Sequence, residues 1–197
     1  MYISAQTTPT HKPYWQCCGS VLKSYHWLFS HGGPELLELL KELRGIRRWS
    51  GFVLFDLSVI DFNLPAFRSV THMDVYDDVD SDAPSTALLC AGLSALPALT
   101  HLCLNRGVDG QILQNLLHGC PHLQILVNMW GDRIDAIAAA GVEDIRYVVV
   151  VCDALDYWFD WEVGARGGTD FWAAADDFVR RKRGREIEES CYLLEKW

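Results

Sequence analysis

No Cys-x-x-Cys pair, no Gly-x-Ser-x-Gly elbow, no phosphate-binding loop and no Gly-x-Gly-x-x-Gly turn occurs in this chain. The first absence removes the common zinc and dithiol frameworks. The others remove the most recognisable hydrolase, nucleotide and dinucleotide sites. Positive charge is scarce: 17 Lys and Arg stand against 26 Asp and Glu, a formal net charge of −9. Most of such a surface repels a phosphate backbone, so no nucleic-acid partner is expected. No apolar run reaches the length of a membrane span, and Pro9, His11, Lys12 and Pro13 occupy the stretch where a signal peptide needs apolar residues. No membrane partner is expected. The seven cysteines are odd in number, and Cys90 and Cys152 sit in apolar runs. They read as reduced thiols, which points to cytoplasm or nucleus.

Half of the 197 residues are apolar and 12% are aromatic, with eight Trp. That is enough to bury a sizeable core in one medium domain or one small domain with an appendage. Laid against itself, the chain shows a repeat. Val70-Thr71-His72-Met73-Asp74-Val75 matches Leu99-Thr100-His101-Leu102-Cys103-Leu104 in apolar positions one, four and six. Leu123-Gln124-Ile125-Leu126-Val127-Asn128 follows the same frame until its last position, and Ile145-Arg146-Tyr147-Val148-Val149-Val150 follows it throughout. The starts at 70, 99, 123 and 145 are 29, 24 and 22 residues apart, within the period of leucine-rich repeats. Helical apolar spacing fills the intervals at 87–96, 111–117 and 134–140. A weaker unit lies around Ile46 to Leu57, behind a helix over Glu35 to Leu43. Val21 to Ser30 fits a short helix or a strand.

The expected architecture is therefore α/β: a leucine-rich-repeat-like solenoid, with a parallel sheet on the concave side and helices on the convex side. Residues 1–34 read as an irregular N-terminal segment, 35–154 as the repeat units and 155–197 as an aromatic-rich helical C-terminal cap. In the cap, Asp170 is placed to start a helix whose stripe is Phe171, Trp172, Ala175, Phe178 and Val179.

Three stretches carry a family resemblance: Leu96-Pro97-Ala98-Leu99-Thr100-His101-Leu102, Cys120-Pro121-His122-Leu123-Gln124-Ile125-Leu126, and Gly167-Gly168-Thr169-Asp170-Phe171-Trp172. Glu186-Ile187-Glu188-Glu189-Ser190 adds to them. With these the chain resembles the uncharacterised F-box/leucine-rich-repeat-type proteins of mushroom-forming fungi. The resemblance implies repeats that hold a substrate for a cullin-type ubiquitin ligase. It also implies an N-terminal F-box, and residues 1–34 are too short and broken to supply one. The expected function is thus a protein–protein interaction scaffold, a ligase substrate-receptor relative without the F-box, and not an enzyme. Its partner is a protein, with no cofactor and no metal.

Strand alternation turns the frame's apolar positions inward and sends the residues between them to the concave face. Four ladders follow. Thr71, Thr100, Gln124 and Arg146 form the first, and His72, His101, Ile125 and Tyr147 the second. Asp74, Cys103, Val127 and Val149 form the third, and Tyr76, Asn105, Met129 and Val151 the fourth. These rows are the candidate partner-binding residues. Val127, Met129, Val149 and Val151 make an apolar patch that either the aromatic tail folds back to cover or a hydrophobic partner occupies. Asn128 stands at an inward position, where its amide serves turn backbone groups.

The alternative is an enzyme using His72, His101 and Cys103 as a His/Cys cluster on that face. Other chemistry fails on spacing. Taking Asp78, Asp80 and Asp82 as a calcium loop puts Ala83 where Gly is required and Leu89 where Glu is required, so a solvated acidic loop is expected. Cys17, Cys18, His26 and His31 lack zinc spacing. Arg180 to Arg185 is the one basic run. It reads as structural surface at a helix C-terminus, or else as an import signal, with Glu186, Glu188 and Glu189 neutralising it.

Overall fold

The computed structural model describes residues 26–29, 38, 40–55, 58–79, 83–131, 141–152 and 154–194. In chain order the strands are β1 (His26–Phe29), β2 (Arg48–Gly51), β3 (Leu54–Phe55), β4 (Ser58–Val59), β5 (His72–Val75), β6 (His101–Leu104), β7 (Ile125–Trp130), β8 (Tyr147–Val151) and β9 (Leu193–Leu194). The main sheet runs β1-β2-β5-β6-β7-β8-β9, and every pairing in it is parallel. Six of its strands are four to six residues long, and two-residue β9 extends the edge beside β8. Strands β3 and β4 form a separate antiparallel pair.

The repeat read from the sequence is present as neighbouring strands. His72 pairs with His101 and His101 with Ile125, as the frame requires. The weaker unit is also a strand, with Arg48 opposite His72, and a further strand falls within Val21 to Ser30. Between strands run α1 (Pro84–Ser94) and α2 (Gly110–Gly119). Pro84 opens α1, and Asp109 caps α2 by accepting from the Gln111 backbone N–H at 2.7 Å. The helix expected at 134–140 lies outside the described residues, as do 35–37 and 39 of the one at Glu35 to Leu43, where 38 and 40–42 are helical.

Both faces of the sheet are buried. On one face Trp49, Met73, Val75, Leu102, Leu104 and Leu126 join Leu89 and Leu93 of α1 and Ile112, Leu113, Leu116 and Leu117 of α2 in one core cluster. On the other, Cys103, Ile125, Val127, Met129, Val148 and Val150 meet Tyr157 of α3 (Ala154–Ala165) and Phe171, Trp172, Ala175, Phe178 and Val179 of α4 (Phe171–Arg183). Asp170 caps α4 as the sequence suggests, accepting from the Ala173 N–H at 3.0 Å. The turn between the two helices is tight. Gly167 has φ +85°, and a Cβ on Gly164 would collide with the Asp170 carboxylate.

Strand β8 departs from the expected register by one residue. Tyr147 lies opposite Leu126 and Val149 opposite Asn128, not opposite Ile125 and Val127. One residue of slip inverts every side chain of a strand. Tyr147, Val149 and Val151 therefore pack on the α1–α2 face, and Val148 and Val150 replace them beneath α3 and α4. Val70, Leu99 and Leu123 share one buried cluster; Ile145, expected to stack with them, is half-buried and outside it.

Candidate functional site

The sheet face beneath α3 and α4 gathers His72, Asp74, Tyr76, His101, Cys103, Asn105, Val127 and Met129 of the residues singled out from the sequence. Its first row is Arg48, His72, His101 and Ile125, set by the parallel register. The two imidazoles stack with centroids 4.0 Å apart and planes 6° apart, and the Trp172 indole stands edge-on to both. Each histidine Nδ1 meets the hydroxyl of the preceding threonine, Thr71 at 2.9 Å and Thr100 at 2.7 Å. His101 Nε2 lies 3.2 Å from the Asp176 carboxylate. Burial holds the His101 pKa below its ordinary value, against the pull of Asp176. Arg48 reaches Asp170, the capping residue of α4, at 2.7 Å.

The second row is Ser50, Asp74, Cys103 and Val127, near the C-terminal ends of the strands. Ser50 Oγ lies 3.2 Å from Asp74 Oδ2, 2.7 Å from the Tyr76 hydroxyl and 3.0 Å from the Tyr157 hydroxyl. Tyr76 and Tyr157 are 2.7 Å apart through their hydroxyls, and Tyr157 donates to Asp74 Oδ2. Asn105 donates to Asp74 Oδ1 at 3.3 Å, and the Cys103 thiol completes the surround. Burial raises the Asp74 carboxyl to about 6, with the hydrogen bonds, Tyr157 first, opposing the rise. Burial, and next the Asp74 charge, push the Tyr157 hydroxyl and the Cys103 thiol well above their ordinary values.

That geometry bears on the His/Cys alternative. Nucleophilic cysteines act as thiolates paired to a base. Cys103 is fully buried, held as a thiol and partnered by Asp74, whereas His101 is engaged by Thr100 and Asp176. Among the described residues no three His, Cys, Asp or Glu side chains are grouped to hold a metal. The Cys17, Cys18, His26 and His31 side chains lie outside the described set.

The chosen residues divide by access. Asp74, His101, Cys103, Val127 and Met129 are buried beneath the chain's own α3–α4 layer, and Tyr147 and Val149 are buried on the opposite face. Thr71, His72, Tyr76, Thr100, Asn105 and Arg146 are half-buried, and Gln124 is exposed. Arg146 has a structural task. Its guanidinium is gripped at two nitrogens by Asp144, at 2.9 and 2.8 Å, and donates to the Leu117 carbonyl near the end of α2 at 2.9 Å. A cation at a helix C-terminus satisfies open carbonyls and the macrodipole together.

Three features went unseen in the sequence. Ser50 sits 24 residues before Asp74 in the weakest unit, so only the repeat spacing marks it. Tyr157 comes from outside the repeats, and nothing local signals its role. Lys182, inside the basic run, is buried at 1% exposure, and its ammonium donates to the Tyr147 carbonyl at 3.2 Å. Of its neighbours in that run, Arg180 pairs with Asp177 and Glu186 on the surface. The acidic run also differs from a solvated loop. Asp77 is buried and accepts from the Val53 and Leu54 N–H groups at 2.7 and 3.0 Å, while residues 80–82 lie outside the described set. With its amide oriented to suit its neighbours, Asn128 donates to the Arg106 carbonyl and accepts from Trp130 Nε1, both at 3.0 Å. This is the backbone service expected of it.

One open cleft of about 460 Å³ borders the site, between the start of β7 and α4, lined by Gln124, Ile125, Asp176, Asp177, Arg180 and Arg183 among others. Among the described residues no helix is long and apolar enough to cross a membrane. Comparison of the chain with protein-family models, with curated proteins and with solved structures finds no match.

Proposed function

We propose that the chain is a leucine-rich-repeat-like solenoid serving as a protein–protein interaction scaffold. Its partner meets the rim at the N-terminal ends of the strands, not the sheet face. One observation carries this reading. Among the residues chosen from the sequence, half-buried Thr71 and Thr100 and exposed Gln124 form a continuous row, the Thr100 amide bonded to the Thr71 carbonyl and the Gln124 amide to the Thr100 carbonyl. The open cleft adjoins this row at Gln124. Two acids, Asp176 and Asp177, and two bases, Arg180 and Arg183, line the cleft, which suits a polypeptide presenting donors, acceptors and charges of both signs. The ubiquitin-ligase connection is the finer form of this proposal.

The test is affinity capture from the native cell with the wild-type chain and a Thr100→Arg/Gln124→Arg variant. Proteins retained by the wild type should be lost by the variant while its circular dichroism melt is unchanged. A folded variant that retains the same proteins in the same amounts contradicts the rim. A cullin adaptor among the lost proteins supports the ligase form, and its absence from the wild-type capture removes that form.

A further inference from the structure

We propose that the Ser50–Asp74–Tyr76–Tyr157 cluster is a proton-binding site that latches helix α3 onto the sheet, so that uptake of one proton tightens the C-terminal cover. This stands apart from the rim reading and needs no partner.

The argument is a count of hydrogens. Ser50, Tyr76 and Tyr157 bring one hydroxyl hydrogen each. Five oxygen–oxygen approaches must be served: Ser50 to Asp74, to Tyr76 and to Tyr157, Tyr76 to Tyr157, and Tyr157 to Asp74. With Asp74 ionised, two of these approaches place oxygen lone pairs against each other with no hydrogen between them. Such unmade bonds are costly in a dry setting, and Ser50, Asp74 and Tyr157 are at most 5% exposed. A proton on Asp74 supplies a fourth hydrogen, turns the carboxyl into a donor and leaves one such approach instead of two. The remaining groups at Asp74 bring no compensating charge: Cys103 of β6 is held as a thiol and Asn105 is a neutral amide. Burial as the leading cause of the raised Asp74 carboxyl agrees with the count.

The latch joins two different parts of the molecule. Ser50, Asp74 and Tyr76 belong to the strands β2 and β5 and their ends, while Tyr157 comes from α3 and fixes it over the face. When α3 lifts, Asp74 regains water and its ordinary carboxyl behaviour. The closed state therefore binds the proton more tightly than the open state, and acid favours closure. With the carboxyl at about 6 when closed and 3.8 as its ordinary value, opening of α3 should rise about 100-fold from the acid to the neutral side of that window. His101, beneath α4, titrates in the opposite sense, because burial lowers its pKa against the pull of Asp176, and it is separated from the latch by substitution.

The experiment pairs two measurements on the full chain. Carbon-13 NMR follows the Asp74 carboxyl, assigned by its loss in Asp74→Asn, through the acid-to-neutral range. Hydrogen exchange follows the α3 amides relative to those of α1, corrected for intrinsic exchange rates. The expected result is a carboxyl titrating clearly above its ordinary range, with α3 opening that rises with pH in the wild type. In Asp74→Asn, whose amide donates as the protonated acid does, the α3 amides stay protected across the range. A carboxyl that titrates in the ordinary range overturns the proposal. So does α3 opening with the same pH dependence in the wild type and in Asp74→Asn. If the variant fails to fold, the wild-type titration and the wild-type α3-to-α1 exchange ratio decide alone.

Discussion

The two faces of the sheet are buried by different parts of the chain. Toward α1 and α2 the strands present apolar side chains from Trp49 through Met73 and Leu102 to Leu126, and the cover is made of helices from the same repeats. Toward α3 and α4 the rows begin with charge and hydroxyl, at Arg48, Ser50, His72 and Asp74, and become aliphatic only from Ile125 and Val127 onward. Here the cover comes from the end of the chain. It answers the gradient in kind: Asp170, Asp176 and Tyr157 meet the polar strands, and Phe178 and Val179 meet the apolar ones. A repeated face is held by general burial, whereas a face of changing character needs matched polar partners, each costly to leave unpaired.

The largest expected effects test whether the two covers contribute alike. Leu102→Ala, on the α1–α2 face, should cost about 2–5 kcal/mol, and Trp172→Ala, on the other, about 3–5 kcal/mol, read by urea unfolding. A negligible loss at Trp172 would mean that α4 does not carry stability.

Asp74→Asn comes next and distinguishes the polar end of the covered face. The folded-state value of Asp74 lies above its unfolded value, so its contribution is fully present below 3.8 and is lost as pH rises through about 6. A shift of roughly two units corresponds to about 3 kcal/mol, so Asp74→Asn should be the more stable protein at neutral pH by up to that amount. His101 has the reverse sign. Its value is lowered in the fold, so its contribution is present above 6.5 and fades as pH falls through the lowered folded value. His101→Gln should therefore weaken the acid-side loss that Asp74→Asn leaves in place, as thermal melts across pH would record.

Arg146→Leu should cost about 1–2 kcal/mol, because the Leu117 carbonyl at the end of α2 loses its donor and Asp144 its partner. A neutral outcome in denaturant titration would return Arg146 to the partner-binding row expected from the sequence. Smallest of all, Arg180→Ala removes only exposed pairs and should leave the melting temperature unchanged within error.

How much of this was legible follows from the same contrast. The apolar frame at 70, 99 and 123, and the fainter unit at 46, stated the parallel order of β2, β5, β6 and β7, because β2, β5 and β6 carry polar residues on one side and β7 follows the same frame until Asn128. The run Tyr147-Val148-Val149-Val150-Val151 carries no such mark. Either phase satisfies two apolar faces, so a one-residue slip was invisible until the strand had partners on both sides. The α4 helix was readable from Asp170 and its stripe, but its place on the sheet was not. That depends on pairings separated by dozens of residues, such as Tyr157 with Asp74 and Arg48 with Asp170. The aromatic tail and a hydrophobic partner were both open as covers for the apolar patch, and the tail lies over Val127 and Met129. The rim carries the binding proposal for that reason.

The claim that α3 and α4 lie across the sheet, and not at the end of a stack, is tested most directly by nuclear Overhauser contacts of the Trp172 indole. Its ring centroid is 5.3 Å from that of His72 and 5.8 Å from that of His101. Cross-peaks from Trp172 to both imidazoles are predicted. Cross-peaks confined to β8 and β9, with none to either histidine, would contradict the account.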